Sequence, residues 1–359
     1  MNHNNNTNNT MNLTCKLFSI TASSALNTSR SQQFPSVPCL AIIGTTLLSV
    51  ICVQAEEAQK SSPADLVKAL HSAFGEHHAR AVHAKGIILE GTFYPSKEAA
   101  SLTKAVHLQE TKSGVVVRFS DFTGIPDIPD THPLSHPRGM AVKFKMADGL
   151  TTDLVTHSFN GFPTATSDQF RELLMAVAAS GPEASKPTAL DGFLETHPIA
   201  KTFLTTQKPP SKSYGTLSYY GVNAFEFTNK EGKACFVRYQ FIPEADEKFL
   251  SKEELAKATP DYLQKEISTR IAKGSLRFTM KAQVAEAGDD PKDPSIAWPD
   301  SRKLVTLGTL IIEKLAPNTA AEDRALMFIP INVPAGISPA DPMLKFRSQA
   351  YPISLGERQ

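Results

Sequence analysis

The chain has 359 residues, 41% hydrophobic and 20% charged, with a formal net charge of +1. That is ordinary globular composition, enough for one large domain or two small ones, and the near-zero charge gives no electrostatic case for nucleic acid as a partner. Twenty Phe against 7 Tyr and 1 Trp suit an apolar interior without identifying a ligand.

The N-terminus reads differently from the rest. Residues 1–55 hold no Asp or Glu, and Lys16 and Arg30 are their only cations. The Asn/Thr-rich start, Asn2 to Thr10, cannot bury a core and is expected to be disordered. An apolar run from Cys39 to Val53 then ends in Val53-Gln54-Ala55 before Glu56-Glu57, the pattern of a signal-peptide core and cleavage site; it is short for a spanning helix. The expected organisation is a disordered leader and signal peptide over 1–55 and one domain over 56–359. Met11 is an alternative start. The mature protein is expected to be periplasmic or secreted, without stable membrane insertion. Cleavage removes Cys15, Cys39 and Cys52 and leaves only Cys235, which excludes an intramolecular disulfide and a Cys-based metal cluster.

In chain order, residues 63–74 show helical spacing, with Leu66, Leu70 and Phe74 on one face. Strands are predicted over 86–93 and 114–119, the latter carrying Val115-Val116-Val117-Arg118-Phe119. A strand from Met140 to Lys145 turns at Asp148-Gly149 into Thr152–His157. A helix over 167–178 has Ser167 as its candidate N-cap. Strands 218–228 and 234–242 flank a turn at Asn229–Gly232, a helix follows over 251–272, and strands return over 276–284 and 304–312. The tail, 323–359, is rich in proline and reads as irregular. Hairpins in sequence, with helices inserted, predict an α+β fold on an antiparallel β-barrel; regular βαβ alternation, G-x-G-x-x-G, Walker A and H-E-x-x-H are missing.

Histidine clusters early: His71, His77, His78, His83, His107, His132, His136 and His157. The His77-His78 and His132/His136 pairs are weak metal candidates, since Pro126 to Pro137 is a proline-rich loop without helical spacing. His83, in Arg80-Ala-Val-His83-Ala-Lys-Gly86, lies where a helix gives way to a strand, a junction that can aim an imidazole into a pocket. Near the end, Arg347 and Tyr351 share a face if their segment is helical. A guanidinium beside a phenol stabilises the phenolate, an anion able to ligate ferric iron.

Taken together and in order, these segments resemble catalases. The matching runs are Arg80-x-x-His83-Ala-Lys-Gly86, Val117-Arg118-Phe119-Ser120, Pro137-Arg138-Gly139-Met140-Ala141, Asp153-Leu-Val155 and Arg347-x-x-x-Tyr351. His157-Ser-Phe-Asn-Gly-Phe-Pro163, Tyr220-Gly-Val-Asn-Ala-Phe225, Phe236-Val-Arg-Tyr239 and Asp341-Pro342 resemble the small catalase-related peroxidases more closely. The resemblance runs from about Asp65 to the last residues. It implies a catalase-like barrel with inserted and flanking helices that lacks the extra segments of full-length catalases.

It also implies a b-type haem and a set of roles. His83 would be the distal acid–base residue, oriented by Ser120. Tyr351 would be the proximal iron ligand, with Arg347 as its charge partner. Arg80 and Arg118 would pair with the haem propionates. Catalases carry a distal asparagine just after the Asp-Leu-Val strand. A gap-free alignment puts His157 or Ser158 there; Asn160 is the available amide, one backbone shift away, and is the expected residue. The implied activity is reduction of hydrogen peroxide or organic hydroperoxides by a small organic donor, with at most weak catalase activity, in a monomer or homodimer. The alternatives are a hydroperoxide isomerase or dehydratase and a non-catalytic exported haem-binding protein.

Overall fold

Residues 113–120 alternate in a way that needs two different environments. Val115, Val117 and Phe119 point to one side and are buried among apolar neighbours, while Val116, Arg118 and Ser120 point to the other. The computed structural model describes residues 60–359 except Glu110, Asn318, Gln359 and the side chain of Ala320. The expected leader and cleavage site lie outside the described residues.

The strands are β1 (Gly86–Pro95), β2 (Ser113–Ser120), β3 (Gly139–Lys145), β4 (Thr151–His157), β5 (Tyr219–Thr228), β6 (Ala234–Pro243), β7 (Leu276–Val284), β8 (Leu304–Leu315) and β9 (Ile337–Pro339). All their pairings are antiparallel. They run in the order β4-β3-β2-β1-β8-β7-β6-β5, and His157 pairs with Tyr220 to close β4 onto β5, making an eight-stranded barrel. Closure removes the free edges that an open sheet exposes. The short β9 lies on β5, with Glu226 opposite Ser338. Aromatic side chains fill the barrel: Phe119 stacks on Tyr214 at 5.3 Å between ring centroids and tilts against Tyr219 and Phe278. Each such burial contributes about 1.5–3 kcal/mol relative to exposure.

Helices cover part of the outer surface: α1 (Pro63–Phe74), α2 (Ser167–Ala178), α3 (Ala189–Thr196), α4 (Pro198–Thr205), α5 (Lys252–Lys257), α6 (Tyr262–Lys273), α7 (Thr319–Ala325) and α8 (Pro342–Gly356). Ser62 and Asp65 cap α1 reciprocally, with Pro63 in the first turn. Leu66, Val67 and Leu70 of α1 cluster with Leu174 of α2 and with Phe346 and Ala350 of α8.

The expected α+β barrel is the observed fold. Local expectations differ in three places. The single helix expected over 251–272 is two helices, because Pro260 cannot supply an interior N–H. Helix α2 is capped by Thr166, which accepts from Gln169 N, and not by Ser167. The tail expected to be irregular contains the fifteen-residue α8, despite Pro352 inside it. That helix has no single apolar stripe, because Leu344 packs on the barrel core while Phe346 and Ala350 pack on α1. Among the described residues, no helix is long and apolar enough to cross a membrane.

The connection between β2 and β3, residues 121–138, is tied down by buried charge. Arg138 is wholly buried and pairs with Asp121, which also accepts from the Tyr214 hydroxyl at 2.9 Å. Asp130 forms an ion pair with Lys85 at 2.6 Å and accepts from the backbone N–H of Leu263 at 2.7 Å. Removing one partner of such a pair costs about 3–5 kcal/mol, since the other charge is left buried alone. The network fixes the strand ends from which the site is built.

Candidate active site on the outer face of the barrel

Cross-strand partners in an antiparallel sheet share a face. Ser120 of β2 pairs with Gly139 of β3, and Gly139 pairs with His157 of β4. Two residues along, Arg118, Ala141 and Val155 form a second row. These two rows floor a cavity outside the barrel, roofed by residues of α1, α2, α8 and the segment 326–328. The cavity is open to solvent on one side, and its lining is mainly apolar. The middle strand offers only glycine and alanine to the floor, which is why a flat space opens there.

His83 enters this cavity from the segment between α1 and β1. Its backbone sits in the left-handed region, φ 57°, which costs a non-glycine residue energy and marks places where structure is held for a purpose. Two hydrogen bonds impose it: His83 N donates to Phe122 O at 2.8 Å, and Ala84 N to Thr123 O at 2.9 Å. The imidazole stands edge-on to Phe122, 5.5 Å between centroids, with Nδ1 3.0 Å from Ser120 Oγ. Gly139 is the floor beneath it. A Cβ there would come within 2.5 Å of Ser120 Oγ and 2.7 Å of His83 Nδ1. Burial, and then the charge of Arg118, push His83 down to about 3, so the ring is neutral and Nε2 is the nitrogen left for the cavity.

Arg347 and Tyr351 also line the cavity, from α8. Arg347 donates to Tyr351 Oη from Nη2 at 2.7 Å and from Nε at 3.2 Å, and from Nη1 to Asn223 Oδ1 at 2.6 Å. Asn223 in turn donates to Asp341 at 2.6 Å, and Asp341 accepts from Met343 N to cap α8. The cap, the guanidinium and the phenol thus form one connected chain.

A third group lies at 80, 118, 323 and 358. Arg118 and Arg80 both pair with Asp323, the latter at 3.0 Å, and Arg358 reaches the carbonyls of Arg324 and Leu326. Two guanidinium groups therefore share one carboxylate, and a third is held nearby by carbonyls alone. Burial, then Arg118, push Arg80 down to about 8. A guanidinium keeps its proton in a protein, so Arg80 remains a largely buried cation beside two others.

Of the residues singled out in the sequence, His83, Arg80, Arg118, Arg347 and Tyr351 line one cavity, and Ser120 touches His83. Asn160 is in the bend after β4 and is not among the lining residues; His157 is. Sequence reasoning missed Arg358, Asp323 and Asn223, and it missed the steric role of Gly139. Asn223 was legible only as part of a motif, and Asp323 carried no local signal. Among the described residues there is no group of three or more His, Cys, Asp and Glu that could hold a metal ion.

The catalase family model matches residues 72–358. A catalase-related peroxidase of Mycolicibacterium paratuberculosis is 36% identical over 282 residues, covering 77% of this chain and 88% of the relative. Another, from Synechococcus elongatus, is 30% identical over 304 residues, covering 83% and 88%. The crystal structure of a fungal catalase superposes with a TM-score of 0.69 at 22% identity, covering 78% of this chain and 59% of that one. This last likeness speaks to the fold alone.

Proposed function

The chain belongs to the catalase family, and within it we propose a haem-dependent peroxidase in which Tyr351 holds the iron and His83 handles the peroxide. The protein is an oxidoreductase acting on peroxide. The haem, the residue roles and the donor are our reading. It is carried by one observation: the His83–Ser120 pair and the Arg347–Tyr351 pair open onto the same cavity.

The residues present fit a haem. The floor of Gly139 and Ala141 leaves flat space that a Cβ at 139 would fill. The walls are mainly apolar, as a porphyrin face requires, with Val155, Phe162 and Phe328 among them. Arg80 and Arg118 share Asp323 and Arg358 meets only backbone carbonyls, so the group carries more positive than negative charge, and two propionates would supply the balance through bidentate pairing. Tyr351 offers a phenol oxygen, and tyrosine is a known haem ligand. Bound haem would supply a ferric centre that takes two oxidising equivalents from peroxide and passes them to an organic donor.

The chain's own part is proton management and orientation. With Nδ1–H donating to Ser120 Oγ, His83 presents a lone pair at Nε2, which would take the proton from the near peroxide oxygen and return it to the departing one. Arg347 would hold the phenol oxygen that bears charge as a ligand, and Asn223 with Asp341 would fix Arg347. Atoms balance as peroxide plus two electrons and two protons giving alcohol and water, or two waters. We also propose that the chain is exported, on the strength of the apolar run before Glu56. The test of the haem reading is the absorption spectrum of the purified protein and of its Tyr351 and His83 variants.

A further inference from the structure

Reducing peroxide consumes two electrons, and a donor has to reach the protein to deliver them. A donor too large for the cavity can do so only through a side chain that is oxidisable, next to the cavity and open to solvent. Phenol and indole rings give up single electrons readily, and the chain has seven Tyr and one Trp. Tyr214, Tyr219, Tyr239 and Trp298 are at most 3% exposed, so no donor can touch them. Tyr351 has the role of iron ligand, and the Tyr262 hydroxyl is engaged with Ser211 O at 2.8 Å. Tyr94 is exposed, but it lies eight residues along β1 from Gly86, the end that pairs with Ser120. At about 3.3 Å per residue that is roughly 26 Å from the site.

Tyr220 meets all three conditions. It is half-buried, and because its neighbour Tyr219 points into the barrel core, Tyr220 points outward. It is the cross-strand partner of His157, where β4 closes onto β5. Such partners stand about 4.5–5.5 Å apart between Cα atoms and share a face. His157 lines the cavity, and so does Val222, two residues further along β5. Tyr220 is thus the next side chain out from two that border the cavity. Lys208 Nζ stands 5.2 Å from the centre of its ring and is itself held by Glu247 at 2.5 Å. A cation over an aromatic face opposes positive charge on the ring. Loss of an electron from Tyr220 is therefore tied to loss of its phenolic proton, which leaves a neutral phenoxyl radical.

We propose that Tyr220 is a donor site at the protein surface, relaying single electrons from bulky aromatic donors to the cofactor in the cavity. Tyr220 gives one electron to the oxidised cofactor and its phenolic proton to water. A donor meeting the phenoxyl radical returns one electron and solvent returns the proton, which restores Tyr220 and leaves the donor oxidised by one electron. Two such rounds supply two electrons, and with two protons from solvent hydrogen peroxide becomes two waters. This inference rests on the haem reading and adds to it the route that the electrons take.

The experiment uses the full chain purified with its haem, as wild type, Tyr220→Phe and Tyr220→Trp. Each protein is first mixed with hydrogen peroxide and a nitroso spin trap, without donor, and the trapped adduct is located by peptide mass spectrometry. The wild type should carry the adduct on Tyr220, and Tyr220→Phe should lack it. Turnover is then compared with a bulky aromatic donor, ABTS, and a small phenol, guaiacol, with haem content and the thermal melt as checks of integrity. In Tyr220→Phe, kcat/KM for ABTS should fall at least about tenfold while guaiacol stays within about threefold of the wild type. Tyr220→Trp keeps an oxidisable ring and should recover most of the ABTS activity. An adduct on other residues alone, or ABTS oxidation at the wild-type rate in Tyr220→Phe, would overturn the proposal and leave the haem reading intact. So would an equal loss with both donors, because the position would then serve the cavity and not the donor. A wild type without a Soret band would overturn the haem reading and this inference together.

Discussion

Arg347 meets the phenol oxygen of Tyr351 with two of its nitrogens, Nη2 at 2.7 Å and Nε at 3.2 Å, one helical turn apart on α8. Its remaining donor goes to Asn223 on β5, so the barrel and not the helix alone sets where the guanidinium stands. Arg347→Lys keeps the charge and loses the fork. We expect haem to leave this variant at least about tenfold faster, measured by transfer to an excess of apomyoglobin. Asn223→Ala should fall in the same direction with a smaller effect, since it removes one charge-assisted bond of about 1.5–3 kcal/mol while leaving the two to Tyr351. Unchanged haem loss in both variants would mean that the pair does not support a ligand.

Gly139 has no side chain because His83 and Ser120 occupy that space. Gly139→Ala should cost about 1–3 kcal/mol of stability, since a Cβ would have to displace the imidazole or the hydroxyl. Peroxidase turnover should fall well beyond what the stability loss accounts for, with haem retained. Ser120→Ala removes the bond to Nδ1 without adding bulk, and turnover should drop on the order of tenfold. Full turnover in Gly139→Ala would place the working imidazole elsewhere.

Buried histidines set the pH dependence of folding. His83, His107 and His157 are each pushed down to about 3, first by burial, and His136 well below its ordinary value for the same reason. In the unfolded chain a histidine titrates near 6.5, so between there and about 3 the unfolded state binds protons that the native state refuses. Stability therefore falls as pH drops through that window, by about 1.4 kcal/mol per histidine per pH unit. Asp130 and Asp341, pushed up to about 6 first by burial, act with the opposite sign between about 6 and 3.8, where the native state holds the extra proton. Four groups against two leave a net loss. Denaturant unfolding of the haem-free protein should lose roughly 3 kcal/mol or more between pH 7.5 and 5.5, and His107→Leu, which lies outside the cavity lining, should flatten the slope. A pH-independent unfolding free energy would mean that these rings are not held neutral.

Asp323 pairs with both Arg80 and Arg118. Asp323→Asn should lower the stability of the haem-free protein by about 3 kcal/mol, by leaving buried cations unpaired. If bound propionates supply the missing charge, haem should restore most of that loss. Equal destabilisation with and without haem would separate the arginines from the ligand.

How much of this could be read in the sequence follows from where the information lies. The strand from Val115 to Phe119 is legible locally, and the barrel expectation followed from such strands arriving as hairpins in sequence. Helix α8 was hidden because it buries residues towards both the barrel and α1, which erases the one-sided periodicity that marks a surface helix. Ordered motifs pointed to His83, Arg347 and Tyr351, but a motif carries no cross-strand register. Only pairing β3 with β2 and β4 shows that Gly139 lies between Ser120 and His157, and that His157, not Asn160, lines the cavity. Asp323 is distant in sequence from the arginines it joins, so nothing local announces it.

The central claim is tested most directly by the absorption spectrum of the protein as purified, for the wild type, Tyr351→Phe and His83→Ala. We predict a Soret band in the wild type, much reduced haem retention in Tyr351→Phe, and retained haem with lost peroxidase turnover in His83→Ala. A Tyr351→Phe protein with wild-type haem content and spectrum, or a haem-loaded His83→Ala protein with full turnover, would contradict the account.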